Sequence, residues 1–257
     1  MLFVLSPAKS LDYDTPTDIE STKPLFIPQA TELISILKTK RSEEIAALMD
    51  LSTSLADLNV DRYAKWSTRS TAKNSKPAVL AFDGDVYDGL QAKTLGADDL
   101  QWAQQHIAIL SGLYGVLRPL DKLQPYRLEM GTALATPRGR NLYDFWGTTI
   151  ANYLNRRLKA DASPVLVNLA SQEYFRSVDL RTLKARVVEC VFEDWKDGDY
   201  KIISFFAKKA RGAMARYAIL NRIATPQGLQ GFDLDGYGFA PEVSVPDRLV
   251  FRRRTAG

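Results

Sequence analysis

Cysteine and histidine are almost missing from this sequence of 257 residues, which contains only Cys190 and His106. A single cysteine cannot form a disulfide within the chain, and a dithiol redox enzyme needs a second cysteine as its resolving thiol. One cysteine and one histidine also cannot supply the ligand sets of protein zinc sites. The composition therefore excludes dithiol peroxidases, zincins and iron–sulfur proteins built from one chain, and we predict neither a metal site nor a cofactor.

Long apolar runs are also missing, because no stretch approaches the roughly 18 uninterrupted apolar residues that a membrane span requires. The apolar run Met1–Leu5 has no basic residue before it and ends at Ser6, so it is too short for a secretory signal. No proline-rich or glycine-rich linker divides the chain. We expect a cytoplasmic protein that forms a single domain over residues 1–257.

Charge is distributed unevenly along the chain, whose net charge is +4. Residues 1–117 hold 11 Lys/Arg and 15 Asp/Glu, a balance of −4, whereas residues 118–222 hold 19 and 11, a balance of +8. A basic middle third beside an acidic first half suggests a polyanion as partner, most simply nucleic acid. The alternative is a surface of mixed charges that only keeps the protein in solution.

Short apolar runs alternate with helical patterns, which predicts an α/β (mixed α+β) fold with a mostly parallel or mixed sheet flanked by helices. Several of the runs are continuously apolar, as expected for strands buried on both faces. The predicted strands are Leu2–Leu5, Ala78–Phe82, Ile107–Leu110, Pro164–Leu169, Arg186–Phe192 and Lys201–Phe206. The predicted helices are Gln29–Lys40, Ser42–Asp50, Ser54–Trp66 and Asn141–Lys159.

The segment after the first predicted strand matches the Ser-x-x-Lys pattern at Ser6 and Lys9, but the companion motifs of serine acyl-enzymes do not occur. We therefore interpret Ser6 as a helix N-cap, with Pro7 in the first turn. Lys9 follows a strand end, where α/β folds bind ligands. Farther along, Asp83, Asp85 and Asp88 are spaced with glycines and are interpreted either as a cation site or as an ordinary turn.

The segment Leu110–Pro119 contains Gly112 and Gly115 around a predicted tight turn. Backbone amides in such a turn can face a phosphate, as in helix-hairpin-helix contacts to DNA, or the glycines can simply supply positive φ angles. Tyr126 and Arg127 follow and place an aromatic ring beside a cation, which suits stacking on a base or sugar.

A basic helix is predicted from Lys208 to about Ile223, with an apolar stripe that includes Met214, Tyr217 and Leu220. Its charged residues have no acidic neighbour in the helix, and Gly212 inside it indicates a close approach of another segment. We predict that these cations contact DNA, although a solvated basic face is the usual outcome. They are Lys208, Lys209, Arg211, Arg216 and Arg222.

Six segments together resemble the peroxide stress protein YaaA family, and the resemblance extends from the first residues to about Phe251. They are residues 6–12 (SPAKSLD), 84–90 (GDVYDGL), 110–131, 142–147 (LYDFWG), 168–175 (NLASQEYF) and 202–222. The resemblance implies an unusual α/β fold with a helix-hairpin-helix element, and a bacterial protein that limits damage from free iron and oxidised DNA. Residues of this chain within the family's motifs include Lys9, Asp12, Asp85, Tyr87, Arg118, Arg127, Glu129, Asn168, Ser171 and Glu173.

Two functions remain open from the sequence. The first is a binding protein whose basic cleft holds double-stranded or branched DNA with little sequence specificity, using Gly112, Gly115, Arg118, Arg127 and the five cations of the basic helix. The second is an enzyme acting on a nucleobase or nucleotide in a pocket formed by Lys9, Tyr87, Ser111, Tyr126 and Glu129, with Lys9, Tyr87, Ser111 and Glu129 as candidate catalytic residues. Direct iron storage fits poorly, because only carboxylates are available as ligands.

Overall fold

Twelve strands and eleven α-helices make up the described part of the chain, which covers residues 1–161 and 164–254 of a computed structural model. The strands are β1 (Leu2–Leu5), β2 (Ser10–Leu11), β3 (Lys76–Pro77), β4 (Phe82–Asp83), β5 (Ile107–Ser111), β6 (Gly115–Leu117), β7 (Lys122–Leu123), β8 (Val165–Leu169), β9 (Arg186–Lys196), β10 (Asp199–Lys201), β11 (Gly238–Phe239) and β12 (Arg248–Arg253). The helices are α1 (Ile27–Leu37), α2 (Ser42–Met49), α3 (Thr53–Lys65), α4 (Ala78–Ala81), α5 (Asp85–Leu90), α6 (Ala97–His106), α7 (Leu142–Trp146), α8 (Thr149–Arg157), α9 (Gln172–Phe175), α10 (Ser204–Leu220) and α11 (Pro226–Leu229).

Eight of the strands form the central sheet in the order β11-β12-β9-β8-β1-β5-β6, and β10 pairs with the end of β9. The five inner strands β12, β9, β8, β1 and β5 are mutually parallel, and the three outer pairings are antiparallel. Strand β1 is buried along its whole length, as its apolar sequence predicts. The predicted mixed α/β fold with a mostly parallel sheet is therefore confirmed.

Three predicted elements differ from the structure. The run Ala78–Phe82 forms the single helical turn α4 and then the short strand β4, because an apolar run alone does not distinguish a buried turn from a strand. The predicted helix Asn141–Lys159 is divided into α7 and α8 at Gly147, whose φ of 44° stops the first helix. The predicted strand Lys201–Phe206 ends at Lys201, and helix α10 begins at Ser204, before the predicted start at Lys208.

Helix α10 crosses α5 at a glycine contact. A Cβ atom at Gly212 would lie 1.7 Å from the carbonyl oxygen of Val86, and one at Gly89 would lie 2.0 Å from the carbonyl oxygen of Lys209. The close approach predicted at Gly212 is confirmed. Met214 of the predicted apolar stripe is fully buried, whereas Leu220 at the end of the helix is 47% exposed, contrary to its predicted place in the core.

Cys190 lies on β9 between buried neighbours on one face of the sheet, as the alternation of its strand predicts. Burial raises the pKa of its thiol far above the ordinary value, which keeps the thiol protonated and slow to react with peroxide. Among the described helices, none is both long and apolar enough to cross a membrane.

Candidate functional site

A cavity of about 410 Å³ opens at the carboxyl ends of β1 and β8, two parallel neighbours in the centre of the sheet. Strand β5 lies on one side of β1, whereas β8 and β9 lie on its other side, so the strand order reverses at β1. Open α/β sheets bind ligands at such a switch point, and the cavity lies there. We name it the strand-edge cavity. Its lining residues are Ser6, Pro7, Ala8, Lys9, Ser10, Asp83, Gly84, Asp85, Val86, Ser171, Glu173, Tyr174, Lys208 and Arg211.

Two serine side chains that line the cavity connect the ends of β1 and β8 by hydrogen bonds. The Ser171 backbone N–H donates to Ser6 Oγ at 2.9 Å, and the Ser6 hydroxyl donates to Ser171 Oγ at 3.3 Å. Ser171 is the N-cap of α9, since its side chain accepts from the backbone N–H of Tyr174. No helix follows Ser6, so the predicted cap at that position is wrong. Ser6 instead forms hydrogen bonds with Ser171, which caps helix α9 after the neighbouring strand β8.

A carboxylate between two cations lies beside the cavity. Lys9 Nζ is 2.7 Å from Glu129 Oε2, and Arg127 Nη2 donates to Glu129 Oε1 at 2.9 Å. The Lys9 side chain is 63% exposed, whereas that of Glu129 is 21% exposed. The structure therefore brings together Lys9, Arg127 and Glu129, three residues that the sequence analysis selected for two different functions.

The other pocket residues predicted for an enzyme are buried behind this surface. The Tyr87 hydroxyl donates to the backbone carbonyl of Ser6 at 3.1 Å, and burial raises the pKa of Tyr87 well above its ordinary value. Ser111 Oγ and the Tyr126 hydroxyl lie 2.6 Å apart, and both residues are buried in the core. Tyr87 thus fixes the backbone of Ser6 in the cavity wall without lining the cavity itself. Ser111 and Tyr126 form a hydrogen-bonded pair in the core, which does not line the cavity either.

Helix α10 contributes Lys208 and Arg211 to the cavity wall. Lys208 Nζ lies 3.6 Å from Asp85 Oδ2, a loose ion pair across the cavity. Within residues 1–161 and 164–254, the guanidinium of Arg211 forms no ion pair with a carboxylate. Burial lowers the pKa of Arg211, because its charged form loses contact with water. Arg211 is thus a partly desolvated cation at the cavity wall, with the Glu189 carboxylate in its vicinity but no ion pair within 4 Å among the described residues.

The other predicted DNA-binding cations of this region contact the protein itself. Lys209 Nζ lies 3.6 Å from Asp235 Oδ2, and Arg222 Nη2 lies 2.8 Å from Asp99 Oδ1. Arg216 donates to the carbonyl oxygens of Leu90 and Gln91 at the end of α5 and to Thr94 Oγ1. Arg222 also lies beyond the end of α10, at a φ of 52°. Tertiary carboxylates therefore pair with Lys209 and Arg222, and neutral oxygens accept from Arg216, although the sequence shows no partner for any of the three.

The Gly112–Gly115 segment is the turn of a β-hairpin between β5 and β6. A Cβ at Gly112 would lie 2.2 Å from the Leu128 carbonyl oxygen, and one at Gly115 would lie 2.6 Å from the Trp146 ring. Gly115 has a φ of 65°, as one interpretation of the sequence requires. The helix-hairpin-helix element is not confirmed, because this segment runs strand–turn–strand and both glycines are buried.

Arg118 follows the same hairpin and pairs with a neighbour in the chain. Its Nη2 donates to Asp121 Oδ1 at 2.8 Å, and its backbone N–H donates to Asp121 Oδ2 at the same distance. The Asp121 carboxylate is fully buried, so the guanidinium neutralises a buried charge. This geometry gives Arg118 a structural contact that would compete with a phosphate.

In the described part of the chain, no group of three or more His, Cys, Asp or Glu side chains is arranged to hold a metal ion. This includes Asp83, Asp85 and Asp88, of which Asp85 contacts Lys208 instead. A second cavity of about 520 Å³, which the sequence analysis missed, is lined in part by Tyr13, Arg62, Trp66 and Lys73. It contains none of the predicted site residues, so we place the candidate site at the strand-edge cavity.

Tyr174 and the pairing of Ser6 with Ser171 are parts of the site that were not predicted from the sequence. A signal was available, because each of these residues closely follows a continuously apolar run, at the end of β1 or of β8. Parallel strands end at the same edge of a sheet, so residues that follow such runs meet there. Which runs are neighbours is decided only by the strand order.

Comparisons with known proteins match this chain over nearly its whole length. Residues 1–243 match the family described as peroxide stress protein YaaA. The chain is 66% identical over 256 residues to a UPF0246 protein of Leptothrix cholodnii, and the match covers 100% of both chains. It is 64% identical over 255 residues to the UPF0246 protein Bpet1601 of Bordetella petrii, covering 99% of this chain and 100% of the relative. The chain therefore belongs to the peroxide stress protein YaaA family.

Proposed function

We propose that this protein binds DNA during hydrogen peroxide stress, and that phosphates of the DNA occupy the strand-edge cavity. The family supports the role in oxidative stress. Binding is to double-stranded or branched DNA, with affinity from phosphate contacts and little reading of bases. By covering DNA, the protein would limit the damage that free iron and peroxide cause to it.

The observation that carries this proposal is the environment of Arg211. A charge that is partly removed from water is normally paired, because its desolvation is costly. Arg211 faces the strand-edge cavity without an ion-pair partner in the described residues, and Lys208 beside it has only a loose contact with Asp85. A phosphate has a negative charge and two oxygens that can accept paired hydrogen bonds from the planar guanidinium. The site therefore suits a phosphate at Arg211.

Acidic residues in the cavity favour a ligand with few contacts rather than a deeply inserted polyanion. Asp83, Asp85 and Glu173 line the cavity together with Lys9, Lys208 and Arg211. Two of the carboxylates have partners of their own, since Asp85 contacts Lys208 and Glu173 accepts from the backbone N–H of Gly131 at 2.9 Å. We infer that one or two phosphates bind at the side formed by α10, while the acidic side faces sugar or base atoms.

The test removes Lys208, Lys209 and Arg211 together by substitution with alanine. DNA binding is measured against salt concentration for the parent and the variant. Each lost phosphate contact lowers the slope of log affinity against log salt by about 0.9, so the loss of one or two contacts should lower the slope by about one to two. Thermal unfolding should change little, because Lys208 is exposed, Lys209 is partly exposed and Arg211 has no ion pair among the described residues.

A matched control removes the same charge elsewhere. Arg156, Lys159 and Lys184 are exposed and lie near the amino end of β8, at the opposite edge of the sheet. Their triple alanine variant should bind DNA with nearly the parental slope. A flat salt dependence of the parent would refute the phosphate-binding site. An α10 variant that binds with the parental affinity and slope would show that this helix is only a solvated face.

A second candidate function is an enzyme that acts on a nucleobase or nucleotide in the same cavity. The observation in its favour is the contact between Lys9 and Glu129, which places a cation and a carboxylate side by side at the cavity. Such a pair can donate and accept hydrogen bonds at the polar edge of a base. A screen of oxidised and damaged nucleosides tests this function, with Glu129→Gln as the variant. Turnover that Glu129→Gln abolishes without weakening DNA binding would establish it.

A further inference from the structure

The first turn of α10 carries large apolar side chains that the fold leaves in solvent. Phe205 is 55% exposed and Phe206 38% exposed, and Ile202 just before the helix is 57% exposed. The two phenylalanine rings lie 5.5 Å apart. The buried stripe of α10 is formed instead by small residues together with Met214 and Ile219. Exposed aromatic rings grouped on a rigid helix are a feature of interaction surfaces.

Cations surround these rings. Lys208 and Lys209 follow Phe205 by three and four residues, so they share its face of the helix. The Arg253 guanidinium lies 4.6 Å from the centre of the Phe206 ring, and that of Arg254 lies 4.4 Å from the centre of the Trp195 ring. Arg253 also pairs with Asp194, whereas Arg254 has no carboxylate within 4 Å in the described part of the chain. Cations therefore border the apolar patch as its rim, and Lys208, Lys209 and Arg253 each have one carboxylate within 4 Å.

The patch is continuous with the strand-edge cavity. Lys208 and Arg211 line the cavity, and Phe205 lies one turn before Lys208, about 4.5 Å along the helix axis. Strand β9 runs parallel to β8 and continues past its carboxyl end, and Trp195 stands near the end of β9. The base adjacent to a phosphate at Lys208 is therefore within reach of the Phe205 ring.

We propose that Phe205 is a stacking platform for an unpaired nucleobase, so that the preferred partner is DNA with unstacked bases: single-stranded, mismatched or branched. This proposal rests on the phosphate binding described above and names the kind of DNA it serves. Aromatic rings beside cations bind single strands in a sequence-tolerant way, since every base has a flat π-face. In an intact duplex the bases are stacked on one another and offer Phe205 no free face.

Charge complementarity favours nucleic acid over a second copy of this chain on the patch. In a two-fold dimer the same surface occurs on both sides of the interface, so the cations of the rim would face cations. Repulsion between like charges opposes such an interface. A DNA strand instead brings negative phosphates to the rim and flat apolar rings to Phe205.

The experiment compares Phe205→Ala and Phe205→Trp with the parent on two DNA probes. One probe is a blunt duplex, and the other is the same duplex with a two-nucleotide bulge that contains 2-aminopurine. Phe205→Ala should bind the bulged probe about tenfold more weakly, which corresponds to about 1.4 kcal/mol, and should bind the blunt duplex within about twofold of the parent. Phe205→Trp should retain tight binding and the quenching of 2-aminopurine fluorescence.

Leu180→Ala is the matched control, because Leu180 is 59% exposed and precedes the amino end of β9, at the opposite edge of the sheet. It should behave as the parent on both probes. Unchanged affinity and quenching in Phe205→Ala, with steep salt dependence of the parent, would refute the stacking platform but not phosphate binding. A parent that binds neither probe would refute both proposals. A parental dimer that Phe205→Ala dissociates would assign the patch to self-association and overturn the inference.

Discussion

The β5–β6 hairpin and helix α10 both contain glycine beside residues suited to phosphate binding, yet they have opposite environments. In the hairpin, Gly112 and Gly115 let the protein pack against itself, and the surrounding side chains are buried. In α10, Gly212 also serves packing, against α5, but Lys208 and Arg211 remain at the cavity. In both regions glycine marks a contact within the protein. The direction of the neighbouring side chains decides which region can meet a ligand.

The largest effect that separates these regions is expected from Gly112→Ala. Its new Cβ would lie 2.2 Å from a backbone carbonyl oxygen, so the hairpin must shift, and we expect a loss of about 3 kcal/mol or more in the free energy of unfolding. Urea unfolding measures this loss. Gly238→Ala is the control, because no atom lies within 4 Å of the position of its Cβ. A stable Gly112→Ala variant that fails to bind DNA would instead place the hairpin in the DNA interface.

A smaller effect is expected from Ser111→Ala, which removes the partner of the Tyr126 hydroxyl and the acceptor of the Tyr114 backbone N–H. Leaving these buried groups unpaired should cost about 1–3 kcal/mol of stability. A double-mutant cycle with Tyr126→Phe measures the part that belongs to the pair. DNA binding and any nucleoside turnover of the folded variant should not change. Loss of turnover with normal stability would give Ser111 a catalytic role.

The comparison also separates cations that stabilise the fold from cations that are available to a ligand. Lys76 and Lys93 are of the first kind, and substitution of Asp12, which contacts both, tests their contribution. The Asp12 carboxylate lies 2.6 Å from Lys93 Nζ and 3.5 Å from Lys76 Nζ, and the hydrogen bond from Lys93 holds the pKa of Asp12 well below its usual range. Asp12→Asn should lower stability by about 1 kcal/mol at pH 7. DNA binding should not change.

The pH dependence of this effect follows from the lowered pKa. In the unfolded chain Asp12 titrates near its ordinary pKa of about 3.9, so its ion pairs stabilise the fold fully above that pH. The contribution declines as the pH falls toward the lower pKa of the folded state. Unfolding of parent and variant at pH 7, 4 and 2.5 should show the two curves converging. A difference that is independent of pH would contradict the ion pairs as its origin.

The smallest effect is expected from Cys190→Ala, since the buried thiol is protonated and takes no part in the strand-edge cavity. Survival of cells under hydrogen peroxide should be the same with the variant as with the parent, provided that the variant is folded. Unfolding curves supply that control. Loss of protection by a folded Cys190→Ala protein would make the cysteine a redox sensor.

The sequence by itself determined the elements whose signal is local. Strand β1 and helices α1, α2 and α3 lie within three residues of their predicted bounds, because an apolar run or a helical stripe reports which face is buried. The fold class followed from the alternation of these elements. Lys9, Lys208 and Arg211 were selected from the sequence, and all three line the strand-edge cavity.

Only the tertiary structure decided how charges are paired and which segments are neighbours. Lys209 meets Asp235, and Arg222 meets Asp99. Such pairs are set by packing between distant segments, which local composition does not report. Strand order likewise joined Ser6 to Ser171 across 165 positions of the chain. Burial of a segment depends on everything that packs around it. The buried hairpin at Gly112 and the cavity-lining cation Arg211 were therefore distinguished only by the folded chain.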